Sequence, residues 1–244
     1  MPAYALKQPI IVDFYEGEYP VYYPPVYRTV FKASGKFYDG FKRQDKKVEE
    51  YVNIAKDKGQ QYGLYHFLLP NDVTQQIDLF LNVVSKMGMG HMPVTLDVEC
   101  NTISEFGVSR KEWGHQIKVF LDAIEKETKI VPTIYSNIYY WGFVDYTGWN
   151  PDYYPLWAAQ YIEDKYINSV NAPYPFPSGW SKWAMWQYRD DGRTQRYFIN
   201  DLNIPSAWFR KYLDETWGTM IPPVEELIFP YKIFMEGKTY AKQS

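Results

Sequence analysis

Short apolar runs alternate along this chain with stretches of helical periodicity, and that alternation restricts the fold more than any other feature. The early runs are PIIVDFY (9–15), YRTVFKAS (27–34), QYGLYHF (61–67), MPVTLDVE (92–99) and IVPTIYS (130–136). Runs this short and this continuous read as strands buried on both faces. Between them lie amphipathic helices. Val48, Tyr51, Val52 and Ala55 recur at i, i+3, i+4 and i+7, with Gly59 as a stop. Asn71 is placed to cap a second helix with the apolar face Val73, Ile77, Phe80, Leu81 and Val84. Ser109 and Glu112 form a capping box ahead of a third, whose core face is Trp113, Ile117, Phe120, Leu121 and Ile124. Strands and helices in this order build βαβ units around a parallel sheet.

Beyond residue 136 the pattern weakens. Three more strand-like runs, YPLWAAQY (154–161), KWAMWQY (182–188) and RYFINDLN (196–203), are joined by weaker helices. A last helix carrying Trp208, Tyr212 and Leu213 stops near Gly218. Eight strands with good helices only after the early ones predict an α/β fold, a TIM-like barrel with a degenerate second half. Residues 1–218 are expected to form that barrel, and Pro222-Pro223 breaks the chain after it. Residues 219–244 are then a C-terminal tail or linker.

Charge and composition exclude several classes of function. A formal net charge of -3 argues against a general nucleic-acid binder and against charge-driven binding to an anionic surface. No stretch of 18 apolar residues occurs, so no membrane span is expected. The N-terminus lacks a basic segment followed by an apolar run, so no signal peptide is expected either. Cys100 is the one cysteine, which rules out an intrachain disulfide, and it reads as a small buried filler. His66, His91 and His115 lack metal-ligand spacing; no metal and no cofactor are expected, and His66 reads as a hydrogen-bonded core residue. Ser34-Gly35-Lys36 lacks the upstream glycine of a phosphate loop. Aromatics at 19% suit sugar binding as well as core packing.

The chemistry centres on Leu96-Asp97-Val98-Glu99. Alternate side chains of a strand share a face, so Asp97 and Glu99 point one way while Leu96 and Val98 point toward the helices. Two acids at the end of a buried strand are costly unless paired or used, and the C-terminal strand ends of a barrel are where catalytic groups sit. Asp13 ends the first strand and Asp201 the eighth. In a closed barrel the first and eighth strands are neighbours, which sets Asp13 and Asp201 side by side across the mouth from Asp97 and Glu99. Converging carboxylates raise the pKa of at least one of them, which keeps a carboxylic acid protonated near neutrality. A protonated carboxyl beside a second carboxylate is the requirement of glycoside hydrolysis.

In order, IVDF around Asp13, KAS (32–34), GLYHF (63–67), LDVE (96–99), PTIYS (132–136), LWAAQY (156–161), WQY (186–188) and DLN (201–203) make the chain resemble glycoside hydrolase family 25, the Ch-type lysozymes of bacteria and phages. The resemblance covers residues 9–217. It implies a distorted barrel of five βα units followed by three strands. It also implies hydrolysis of the β-1,4 bond after N-acetylmuramic acid in peptidoglycan strands. By position it makes Glu99 the general acid, Asp97 its partner, and Asp13 and Asp201 supporting acids. Tyr65, Tyr135, Trp157 and Gln187 fall at substrate-cleft positions. FYEGEYPVYYPP after the first strand and Gly35-Lys36 after KAS depart from the family's usual pattern. Without a signal peptide, such an enzyme would reach the wall at phage lysis or from a phage particle. Two other readings stand beside it. One is a chitinase-like hydrolase, disfavoured by Thr95 where that motif carries a further acid; the other is a non-catalytic wall-binding or phage structural protein on the same fold. The expected stereochemical outcome is net retention, by participation of the substrate's acetamido group or through a covalent Asp97 adduct.

Overall fold

The first two apolar runs become adjacent parallel strands, β1 (Ile10–Phe14) and β2 (Val26–Lys36). The computed structural model describes residues 10–16, 26–36, 42–162, 173, 175–190 and 201–218. The later strands are β3 (Lys42–Gln44), β4 (Tyr62–Phe67), β5 (Thr95–Asp97), β6 (Thr133–Ser136), β7 (Leu156–Ala159), β8 (Met185–Arg189) and β9 (Asp201–Pro205). Around the sheet the order is β1, β9, β8, β7, β6, β5, β4, β2, and the β1–β2 pairing closes it into an eight-stranded barrel. The segment 219–244, and with it the expected tail and its Pro222-Pro223 break, lies outside the described residues.

The helices form where the periodicity puts them. They are α1 (Val48–Asp57), α2 (Val73–Met87), α3 (Arg110–Thr128), the single turn α4 (Ile138–Trp141) and α5 (Ala207–Trp217). In α1 the buried residues are the four predicted, and the chain leaves it through Gly59 at φ 63°. At the start of α3 the Ser109 hydroxyl accepts from the Glu112 N–H at 3.2 Å, and all five predicted core residues are buried. These faces pack on Ala33, Leu64, Leu96, Val98, Ile134 and Leu156, the outward side chains of the strands. Each large side chain buried there contributes about 1.5–3 kcal/mol relative to exposure. Among the described residues no helix is long and apolar enough to cross a membrane.

Four expectations are corrected. The eighth run was expected to bring Asp201 to the end of a parallel strand. Instead β9 is antiparallel to both β8 and β1, and Asp201 begins it. Only residues 190–200 separate β8 from β9, too few for the helical crossover that a parallel neighbour requires. The reversal still brings Asp201 to the same rim, in register opposite Asp13. Secondly, β3 was not foreseen; it pairs with the end of β2 at Ser34↔Gln44, Gly35↔Arg43 and Lys36↔Lys42. At the same end β2 also runs close against β4, where Gly35, at φ 123°, has no Cβ to strike the Phe67 carbonyl.

Thirdly, Asn71 does not cap α2. Asn71 and Asp72 are both left-handed, and no side chain caps the helix. Asn71 bonds outward instead, from its side chain to the Phe106 carbonyl and from its N–H to Gln116 Oε1. The buried face of α2 is accordingly Gln76, Ile77, Phe80, Val83 and Met87, while Val73, Leu81 and Val84 are only partly covered. Finally, β5 and β6 are shorter than their apolar runs, because Pro93 and Pro132 cannot donate to the ladder.

Because β9 runs downward, α5 ends up beneath the barrel. Its Phe209 and Leu213 pack into the interior cluster with Ile11, Val30, Met92 and Met185. The floor is thereby closed, and the opposite end, where the parallel strands terminate, is left open.

Candidate active site

One row of strand residues forms the wall of that open end. Phe67, Asp97, Tyr135 and Trp157 lie abreast on β4, β5, β6 and β7. Gln187 on β8 faces Asn203 on β9, and Asp13 faces Asp201 across the β1–β9 pair. The row lines a cleft of about 470 Å³. All eight residues singled out from the sequence, Asp13, Tyr65, Asp97, Glu99, Tyr135, Trp157, Gln187 and Asp201, lie on its wall, joined by Tyr15, Lys32, Lys36, Phe67 and Thr95. Period-two alternation explains the sorting: Leu96 and Val98 are in the outer core, while Asp97 and Glu99 face the cleft.

Glu99 lies just beyond β5, on backbone that stays fixed. The Val98 N–H donates to the Tyr135 carbonyl at 2.9 Å, and the Ser136 hydroxyl donates to the Val98 carbonyl at 2.8 Å. Burial pushes the Glu99 carboxyl up to about 7; the Tyr135 hydroxyl opposes the shift and the charge of Asp13 adds to it. Asp97 is 6% exposed, and its Oδ1 has no hydrogen-bond partner. Burial first, and then the Glu99 charge, hold Asp97 well above the usual carboxylate range. Both acids are therefore harder to ionise than exposed carboxyls, Asp97 further so through the charge of Glu99.

Across the cleft, Asp13 is held by a polar network. Asn203 Nδ2 donates to Asp13 Oδ1 at 2.6 Å, and Asn203 Oδ1 accepts from the Trp157 indole at 2.7 Å. Gln187 Oε1 accepts from the hydroxyls of Tyr135, at 2.6 Å, and Tyr161, at 3.1 Å. That fixes the amide so that Nε2 donates to Asp13, at 3.3 Å, and to Asp201, at 3.0 Å. Burial nevertheless dominates, and Asp13 rises to about 6.

Lys32 is the cation of the site that the sequence reading passed over. It is 8% exposed. Its ammonium donates to the Lys36 carbonyl at 2.6 Å and lies 4.9 Å from the Phe67 ring centroid and 6.0 Å from that of Tyr65. Burial lowers its pKa, against the opposing charges of Asp97, Asp45, Glu99 and Glu16. A lysine inside a buried strand was the available signal, since an uncompensated buried ammonium is not tolerated. Asn203 was also missed. It stands two residues from Asp201, so strand alternation alone assigns both to one face.

The histidine reading holds. His66 faces the outer core, 4.9 Å from the Phe120 ring, and burial lowers its pKa to about 3. Gln76 Oε1 also accepts from the Leu69 N–H, so at His66 it faces a protonated Nε2, and Nδ1 accepts from the Ser34 hydroxyl at 2.8 Å. Cys100 is buried, as expected of a filler.

The chain that builds this cleft is similar to known proteins. Residues 26–197 match the model of the family described as glycosyl hydrolases family 25. The uncharacterized protein YegX of Escherichia coli (strain K12) is 29% identical over 167 residues, covering 66% of this chain and 53% of that protein. The autolytic lysozyme of Clostridium acetobutylicum is 26% identical over 188 residues, covering 74% of this chain and 50% of its own length. The chain thus spans about half the length of the curated relatives it matches. Among solved structures, the Clostridium perfringens spore cortex lytic enzyme SleM superposes with a TM-score of 0.68 at 26% identity, over 82% of this chain and 67% of that one.

Proposed function

The chain belongs to glycosyl hydrolase family 25, and from that premise we propose that it is a peptidoglycan muramidase cutting the β-1,4 bond between N-acetylmuramic acid and N-acetylglucosamine with net retention. The observation that carries this reading is the buried Asp97–Glu99 pair, whose Asp97 Oδ1 has no hydrogen-bond partner among the described residues.

In the proposed mechanism Glu99 is the proton donor. A carboxyl held near pKa 7 is protonated often enough at neutrality to protonate the bridging oxygen, and acidic enough to release the proton. The lone Oδ1 of Asp97 suits the N–H of a 2-acetamido group. Accepting that N–H would stabilise the Asp97 carboxylate, leave the pair's proton on Glu99, and aim the acetamido carbonyl at the anomeric carbon. The carbonyl oxygen forms the new bond to that carbon as the glycosidic bond breaks, and the leaving oxygen takes the Glu99 proton. Water then attacks the cyclic intermediate, with Glu99 accepting its proton. Two displacements give retention. Lys32 is a positioning residue here: its charge near Asp97 favours the ionised form of that acid. Asp13 and Asp201, linked through Gln187, shape the far wall, and the Asp13 charge adds to the burial that raises Glu99. Participation of the acetamido group is favoured over a covalent Asp97 adduct by the same unpartnered oxygen.

The test is direct. Purified protein should clear a suspension of Gram-positive cell walls, and mass spectrometry should find fragments ending in N-acetylmuramic acid. NMR of the first-formed anomer should show β. An α product would reject retention, and fragments ending in N-acetylglucosamine would reject the muramidase reading.

A further inference from the structure

Helix α4 is fastened on every side. Asn137 caps it, its side chain accepting from the Tyr140 N–H at 2.9 Å. Trp141 is buried beneath it, with ring centroids 4.5 Å from Trp180 and 5.9 Å from Tyr146. The Arg110 guanidinium donates to the Gly142 carbonyl just past the turn, and α3 passes so close that a Cβ at Gly114 would strike the Asp145 carbonyl. Yet this fixed turn leaves Ile138 53% and Tyr139 57% exposed.

The Tyr139 ring is braced as well. Its hydroxyl accepts from Asn101 Nδ2 at 3.2 Å, and the Tyr140 and Phe143 rings meet it edge-on at 5.3 and 5.5 Å. Exposed apolar surface usually folds away when it is free to do so; here it is held out. The turn follows directly on two residues of the cleft wall: Asn101 is two residues beyond Glu99, Tyr139 is four beyond Tyr135, and the Asn101–Tyr139 hydrogen bond ties the two segments together.

We propose that Tyr139, with Ile138 beside it, is a stacking platform for a further pyranose of the glycan strand, on the leaving-group side of the cut. The proposal rests on the muramidase reading. A β-linked pyranose in a chair has C–H faces that are apolar and hydroxyl edges that are not. A flat, pre-positioned tyrosine buries the face at little conformational cost while the edges stay in water. The side follows from the chemistry. Glu99 gives its proton to the bridging oxygen, so the departing strand lies against the rim beyond Glu99, where Tyr140 and then Tyr139 follow. Asp13 and Asp201 occupy the opposite wall.

The test uses a reducing-end-labelled hexasaccharide of alternating N-acetylglucosamine and N-acetylmuramic acid, which has two susceptible bonds, and the corresponding tetrasaccharide. The unaltered protein should favour the hexasaccharide cut that leaves a labelled tetrasaccharide. Tyr139→Ala should raise KM for the hexasaccharide about three- to tenfold and move cleavage to the bond that leaves a labelled disaccharide. Tyr139→Trp should preserve both properties, and Ile138→Ser should change them in the same direction but less. An unchanged product ratio in Tyr139→Ala overturns the platform, as does an equal loss on both substrate lengths. If the unaltered protein cuts neither fragment, the muramidase reading falls. Equilibrium binding of the hexasaccharide then decides the platform separately, and Tyr139→Ala binding as tightly as the unaltered protein overturns it.

Discussion

The two ends of the barrel both bury charge and treat it in opposite ways. At the floor, Arg28 is fully buried; acceptors meet its Nε and Nη2, while Nη1 makes no hydrogen bond. Its Nε donates to the His91 carbonyl at 3.0 Å and its Nη2 to the carbonyls of Gly218 and Leu213 at 3.2 and 3.4 Å, while Nη1 lies 4.0 Å from Asp214. Tyr27 donates to the same Asp214, and Gln61 Nε2 donates to the Trp217 and Gly218 carbonyls. These donors satisfy the last carbonyls of α5, where its dipole is negative, and tie it to the starts of β2 and β4. At the mouth, Asp97 keeps an oxygen without a partner, and Asp13 and Glu99 are pushed to about 6 and about 7. Charge that is met by fixed partners holds the fold together. Burial shifts the pKa at both ends, lowering Arg28 and raising the acids, but the acids stand at the open mouth, where a shifted pKa is available for chemistry.

The largest expected effect lies at the mouth. Glu99→Gln should lower cleavage by about two to four orders of magnitude while leaving the melting temperature the same or higher, because a buried like charge is removed. A variant with near-full activity would break the contrast at its centre.

At the floor the signs reverse. Arg28→Met should destabilise the protein by about 3 kcal/mol, since the α5 carbonyls and Asp214 lose a buried partner. For a chain of this size that is roughly 6–12 °C in melting temperature, with cleavage rates at low temperature retained. Loss of rate without loss of stability would show that the floor is not merely structural.

A third test separates the ends by pH. Asp13 and Glu99 rise from 3.8 and 4.5 to about 6 and about 7. Through these two acids the folded state binds more protons than the unfolded state between those values, a contribution that lowers stability as pH rises from about 4 to 7, while buried His66, lowered from 6.5 to about 3, contributes in the opposite sense below about 6.5. Each group contributes on the order of 1–3 kcal/mol. Thermal melts across that window should differ in slope, Asp13→Asn losing less stability, or gaining more, than the unaltered protein as pH rises from about 4 to 6. An unchanged slope in Asp13→Asn would mean that Asp13 is not the source.

The smallest expected effect tests Lys32. Removing a positive charge raises nearby carboxylates, so Lys32→Met should move the acid limb of the kcat profile upward by about half a unit to one unit. The basic limb should move less, because Asp97 heads the charges opposing Lys32 and Glu99 follows. Lys32→Arg should restore the limb. A uniform drop in rate with no movement of the limb would make Lys32 a packing residue.

Several parts of this arrangement were legible beforehand because they are local. A period of two puts Asp97 and Glu99 on one face wherever the strand goes, and a period of 3.6 picks out the buried sides of α1 and α3. Where a side chain found a partner distant in sequence, local rules failed. Asn71 left the α2 cap for Phe106 and Gln116, and the polar Gln76 entered the core because it turns back to the Leu69 and Asn71 carbonyls.

The order of the eight barrel strands and the positions of Asp13, Asp97 and Glu99 along theirs were determined by the sequence alone, since both follow from hydrophobic pattern and side-chain alternation. Only the tertiary structure decided that β9 runs antiparallel, that Lys32 lies in the cleft with the carboxylates, and that Asp97 keeps an oxygen unpaired. The reason is that strand direction depends on where the chain can close a barrel. A pKa likewise depends on which groups, however far apart in sequence, are shut away from water together.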